Sequence, residues 1–147
     1  MKAKHLFFQI GRTLLLFVLF SLLVKLQACG DDDHTNPLQV RLNELTGTWR
    51  LGTVFNDNND ITNQFQGFEL TFEADKTFIT QNGGNAWPAS GRFDFLDDNA
   101  NLIVRNDDVE VEIVEITNTS LQLSFTQSTL NGRAAGITGS FSFSLIK

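Results

Sequence analysis

The chain has 147 residues, the length of one domain plus a short appendage. It carries 11 basic and 17 acidic residues, two histidines and one cysteine, with a formal net charge of −6 at pH 7. An acidic chain without clustered Lys and Arg argues against nucleic acid as a partner, and a lone cysteine excludes an intramolecular disulfide.

The charge is unevenly placed. Lys2, Lys4, Arg12 and Lys25 precede Cys29, and every acidic residue follows it. Met1 to Arg12 reads as a positive n-region. Leu14 to Val24 is an apolar core of 11 residues, whereas a spanning helix needs ~20. That combination reads as a cleaved signal peptide over 1–28.

Leu26-Gln27-Ala28-Cys29 resembles the bacterial lipobox. The resemblance implies a diacylglyceryl group on the Cys29 thiol and cleavage just before it, so the membrane is a partner through that lipid. Two or three acyl chains hold a protein stably where one, at ~0.8 kcal/mol per buried methylene, does not. Asp31, Asp32 and Asp33 follow. They read first as part of a solvated tether over 29–42. They also resemble the acidic run that directs surface lipoproteins of the Bacteroidota to the outer face of the outer membrane, which implies a cell-surface location. Pro37 disfavours helix locally, and Val40 to Leu45 fits a single helical turn.

Within 43–147 the apolar period is two. Trp49, Leu51 and Phe55 alternate in a first strand, and Phe68, Leu70 and Phe72 in a second. Ala74-Asp75-Lys76 turns the chain into a third, Thr77 to Gln81. Asn82-Gly83-Gly84-Asn85 breaks the pattern, and Pro88 keeps Trp87 out of helix. Phe93 and Phe95 mark a fourth strand, Leu102 and Val104 a fifth. In the sixth, Val109, Val111 and Ile113 alternate with glutamates, then the phase flips at Val114, which predicts a bulge or bend. Leu121, Leu123 and Phe125 make the seventh strand, and Phe141, Phe143 and Leu145 the eighth.

Short turns predict antiparallel neighbours in chain order. The fold class is therefore all-β, an eight-stranded up-and-down barrel, with a two-sheet sandwich as the alternative. Glutamates on the face opposite the phenylalanines argue against a membrane-spanning barrel.

Leu45-Thr46-Gly47-Thr48-Trp49 resembles the Gly-x-Trp opening of the lipocalins. The hairpin Phe68 to Phe78 and the strand start Ser90-Gly91-Arg92-Phe93 resemble the small lipocalin-like lipoprotein domains of the Bacteroidota. The resemblance implies a calycin-type barrel, a basic residue near the C-terminus over the tryptophan (Arg133 or Lys147), and a barrel mouth lidded by the loop after the first strand. It implies a small apolar ligand held by Trp49, Phe55, Phe65, Phe68, Phe72 and Trp87. The alternative is a barrel filled by its own side chains that serves an envelope protein partner.

The region 43–147 contains neither His nor Cys, which excludes Ser-His-Asp, Cys-His and His-ligated zinc sites there. Asp57/Asp60, Asp97/Asp98 and Asp107/Asp108 sit in predicted turns, where Asp bonds its own backbone. Glu110, Glu112 and Glu115 read as the wet face of one strand. Asp57 to Asp60 lacks the glycine and distal glutamate of a calcium loop. The expectation is a non-enzymatic protein without metal or cofactor. Cys29→Ser is expected to abolish incorporation of labelled fatty acid and to move the chain into the soluble fraction; unchanged membrane retention would assign anchoring to the apolar segment instead.

Overall fold

The computed structural model describes residues 36–128 and 138–147; Cys29, Asp31, Asp32, Asp33 and Arg133 lie outside them. The elements are α1 (Pro37–Leu45), β1 (Gly47–Asn56), β2 (Asn59–Asp60), a 3-10 turn (Thr62–Phe65), β3 (Glu69–Phe72), β4 (Thr77–Gln81), β5 (Ser90–Phe95), β6 (Leu102–Arg105), β7 (Glu110–Ile116), β8 (Ser120–Gln127) and β9 (Gly139–Ile146). The two-residue β2 folds back on the end of β1. From β1 and β3 onward each strand is antiparallel to the next in chain order, and β9 pairs with β1. The result is a closed eight-stranded barrel, which sets aside the sandwich.

Alternation supplies the interior. Directly opposed residues form rows across the wall: Ile113, Leu123, Phe143 and Val54 in one, Val111, Phe125 and Phe141 in the next. All seven are buried. At ~1.5–3 kcal/mol per large side chain taken from water, these rows are the main source of stability.

The predicted phase flip in β7 is a register shift between Ile113 and Glu115, which leaves Val114 outside at 49% exposure. A second shift was not legible. β1 slips against β9 between Leu51 and Thr53, so Val54 turns inward and Phe55 outward. An extra residue in one strand reverses the facing of all that follow. Phe55 therefore stands on the outer wall, away from Trp49. Gly52 permits the slip, because a Cβ there would lie 2.6 Å from the Ser144 carbonyl oxygen.

In β6 the inward pair is Ile103 and Arg105, not Leu102 and Val104. The run Leu-Ile-Val has no internal phase, and pairing decides it: Phe95 sits opposite Ile103 and Phe93 opposite Arg105.

α1 is a nine-residue helix rather than a single turn, and it starts within the stretch read as tether. Pro37 is its first residue. The Asn36 side-chain oxygen caps it by accepting from the Leu38 N–H at 3.0 Å. Proline suits this position because its missing N–H is one the helix leaves unpaired. Leu42 and Leu45 are buried. Arg41 donates to the Ala100 carbonyl and to Asn101 Oδ1, and the Trp49 indole donates to the Leu45 carbonyl at 2.7 Å. Lys147 Nζ lies 4.4 Å from the Trp49 ring centre and donates to the carbonyls of Glu44 and Thr46. It thus combines a cation–π contact with a cap on the helix C-terminus, and meets the expectation of a basic residue over the tryptophan.

Gly52→Ala is expected to destabilise the barrel by about 1–3 kcal/mol, since the methyl group meets backbone rather than a movable side chain. Urea unfolding should show it as a lower midpoint. Thr53→Ala, at the exposed neighbour, should stay within about 0.5 kcal/mol of the parent.

Candidate functional site: the plugged end of the barrel

α1 covers the end where β1 begins. Among the described residues, the opposite end is built from the segments 57–68, 82–89 and 106–109, which join the strands there. Two of these segments send an aromatic side chain inward. The Val54 carbonyl accepts from the Ile61 N–H, and the Phe65 carbonyl from the Phe68 N–H, so the 3-10 turn lies across the opening with Phe65 beneath it. Phe65 meets the rings of Phe143 at 5.2 Å and Phe68 at 6.3 Å, edge to face.

Trp87 is the second plug, only 1% exposed. Its ring centre is 5.5 Å from Phe125, 5.9 Å from Phe78 and 6.3 Å from Phe143. The loop turns sharply enough to deliver it because position 83 is glycine: a Cβ would stand 2.3 Å from the Trp87 carbonyl oxygen. Asn82, at φ 53°, bonds back to the Gly67 carbonyl and joins the two loops.

Beneath Trp87 lies a residue the sequence reading missed. Arg105 is 2% exposed. Its Nε and Nη2 donate to the two carboxylate oxygens of Asp107 at 2.9 and 2.7 Å, and its Nη1 to the Ala86 carbonyl at 3.0 Å. The guanidinium carbon is 4.6 Å from the Trp87 ring centre and 5.4 Å from that of Phe125. The available signal was its place two residues after Ile103, in phase with the inward face. Gln127 Nε2 holds the next carbonyl of the same loop, that of Asn85.

Among the described residues, three side-chain polar atoms at this end are buried without a partner: Thr80 Oγ1, Trp87 Nε1 and Gln127 Oε1. Each such group costs about 1–3 kcal/mol.

The six candidate ligand residues are not brought together around one cavity. Trp49 belongs to the α1 end, Phe68 and Phe72 to the packed interior, Phe65 and Trp87 to the plugs, and Phe55 to the outer wall. Among the described residues, one groove of about 620 Å³ is lined by Asp107, Asp108, Glu110, Glu112, Phe125 and Gln127 among others, and a trough of about 270 Å³ by Gly52, Gln122, Ser144 and Ile146.

Asp60 accepts from Thr62 and Asp97 from Asn101 and Leu102, as turn residues do, and Asp107 is held by Arg105; Asp57 instead accepts from the Ser140 N–H of β9, far away in the chain. Hydrogen bonds from Thr62 hold Asp60 below its ordinary value, and those from Thr77 do the same for Asp75. Asp94 is lowered by the Lys76 ammonium and the Phe95 N–H. Among the described residues no three His, Cys, Asp or Glu side chains are grouped to hold a metal ion.

Arg105→Ala is expected to lower stability by about 2–4 kcal/mol, because it removes the ion pair, the bond to Ala86 and the packing beneath Trp87. Trp87→Phe keeps most of the packing and removes an unpaired N–H, so it should change stability by less than about 1 kcal/mol. Thermal melts of both variants check the contrast.

The chain matches no protein-family model, no curated protein and no solved structure.

Proposed function

We propose that this chain is a lipid-anchored outer-membrane lipoprotein, exposed at the cell surface, whose barrel binds an envelope protein through its outer wall and performs no chemistry. The observation that carries the reading is the interior: Phe65 and Trp87 fill the barrel from the end opposite α1. A filled barrel directs binding to its surface. Phe55, Val114 and Ile146 stand on that outer wall, 38%, 49% and 53% exposed. The lipobox-like Leu26 to Cys29 supports the anchor, and Asp31, Asp32 and Asp33 support the outward location.

Cross-linking in intact cells tests the reading. The parent should give one discrete adduct, and Phe55→Glu combined with Ile146→Glu should lose it while keeping the parent's melting temperature. Replacing Asp31, Asp32 and Asp33 with Ala should leave lipidation intact and remove access to external protease. An adduct that survives the outer-wall substitutions would defeat the surface reading, and continued external cleavage would defeat the export signal.

A further inference from the structure

Among the described residues, six large apolar side chains are exposed, and two of them, Val40 and Leu96, belong to the α1 end of the barrel, apart from the outer-wall positions. Val40 is 38% exposed and Leu96 49%. α1 turns Leu42 and Leu45 into the core, and Pro37, Val40 and Glu44, spaced i, i+3 and i+7, lie exposed on its other face. Leu96 opens the turn that joins β5 to β6, and that turn lies beside α1. Arg41 donates to the Ala100 carbonyl and to Asn101 Oδ1, and Pro37, Val40 and Asn99 line one hollow of about 240 Å³. The nearby charges are tied down. Glu44 accepts from Arg41 at 2.8 Å, and Asp97 Oδ1 accepts from the Asn101 and Leu102 N–H groups of its own turn. Pro37 to Val40, the first turn of α1, carries no charge.

The length of chain ahead of α1 says what lies against this patch. Six residues separate Cys29 from Asn36, the cap of the helix. An extended chain spans at most ~3.3–3.6 Å per residue, so Asn36 stays within roughly 25 Å of the acylated residue. The opposite end of the barrel is farther by the height of the wall. β1 has 10 residues, and at ~3.3 Å per residue with a tilt of ~35–45° that height is about 25 Å. A tether this short holds the α1 end beside the lipid surface at an effective concentration on the order of millimolar. At that concentration a small apolar patch docks, although alone it would bind a membrane only weakly.

We propose that the α1 end is a membrane-docking foot: Pro37, Val40 and Leu96 rest in the interfacial layer of the bilayer that holds the Cys29 lipid, and the end built from 57–68, 82–89 and 106–109 points away from it. The surface it takes is zwitterionic, because Asp98, exposed on the same turn as Leu96, repels anionic headgroups. The inference rests on the lipid anchor of the proposed function and adds a direction to it. The barrel has a membrane side and a free side, and the outer wall stands between them.

The test uses the full acylated chain in phosphatidylcholine vesicles. An acylated Cys29 does not react with a thiol-directed fluorophore, so one label is placed at the foot by Val40→Cys or Leu96→Cys. For comparison one is placed at the far end by Gln64→Cys or Glu110→Cys, both exposed positions. Lipids carrying a nitroxide near the headgroup should quench the foot labels about threefold more than the far labels, or better, and the foot labels alone should shift to the blue. Equal quenching at the two ends, or stronger quenching at the far end, would overturn the proposal. Flotation of the unlabelled parent with the vesicles separates the two readings. A parent that does not float defeats the anchor and the foot together, whereas a floating parent with equally quenched ends defeats the foot alone.

Discussion

Closure of β1 on β9 is the constraint on which the rest of the molecule depends. Beyond the short β2, β1 serves two neighbours in turn: Gly47–Arg50 pairs with β3, and Arg50–Asn56 pairs with β9. The slip at Gly52 lies within the stretch paired with β9. Bulges increase local twist and help a sheet curl into a barrel. Without the pairing of β1 with β9, the wall would have two open edges, and the rows that join Val54 to Phe143 and Leu51 to Leu145 would not form.

The two ends of the closed barrel are finished by different chemistry. At one end a helix is docked through Leu42, Leu45 and Arg41, and its last carbonyls are taken up by Lys147 and the Trp49 indole. Among the described residues, no buried side-chain polar atom is left unpaired there. At the other end aromatic rings from two loops supply most of the packing, around a buried arginine, and three polar atoms go without partners.

Much of the architecture was legible because it rests on period two. The strand Thr77–Gln81 has the bounds the alternation predicts. The bulge in β7 could be read because its flanking residues change from Val/Ile against Glu to the reverse phase, a mark that survives in composition. The bulge in β1 left no such mark: Leu51, Val54 and Phe55 are all apolar, so either phase fits. β6 was ambiguous for the same reason. The length of α1 was hidden by Pro37, which blocks a helix from inside but begins one readily when Asn36 caps it. Arg105 was invisible as an interior residue because charge is ordinarily a sign of the outer face, and its burial depends on Asp107 and Ala86 being brought to it by turns. The parts of the candidate site that escaped the sequence are those made by loops, where side-chain direction follows from backbone turns rather than from periodicity.

The pairing of β1 with β9 also bears on when the fold can form. Residues 50–56 find their partners at 141–146, roughly ninety positions later, and contacts of that span are the slow ones in folding. Until β9 has emerged, β1 has half an edge and no barrel to belong to. A chain arranged this way stays open until its last strand has arrived, and only then can the ring close. The same ladder that gives the finished barrel its strength therefore acts as a delay, making closure the last event of folding.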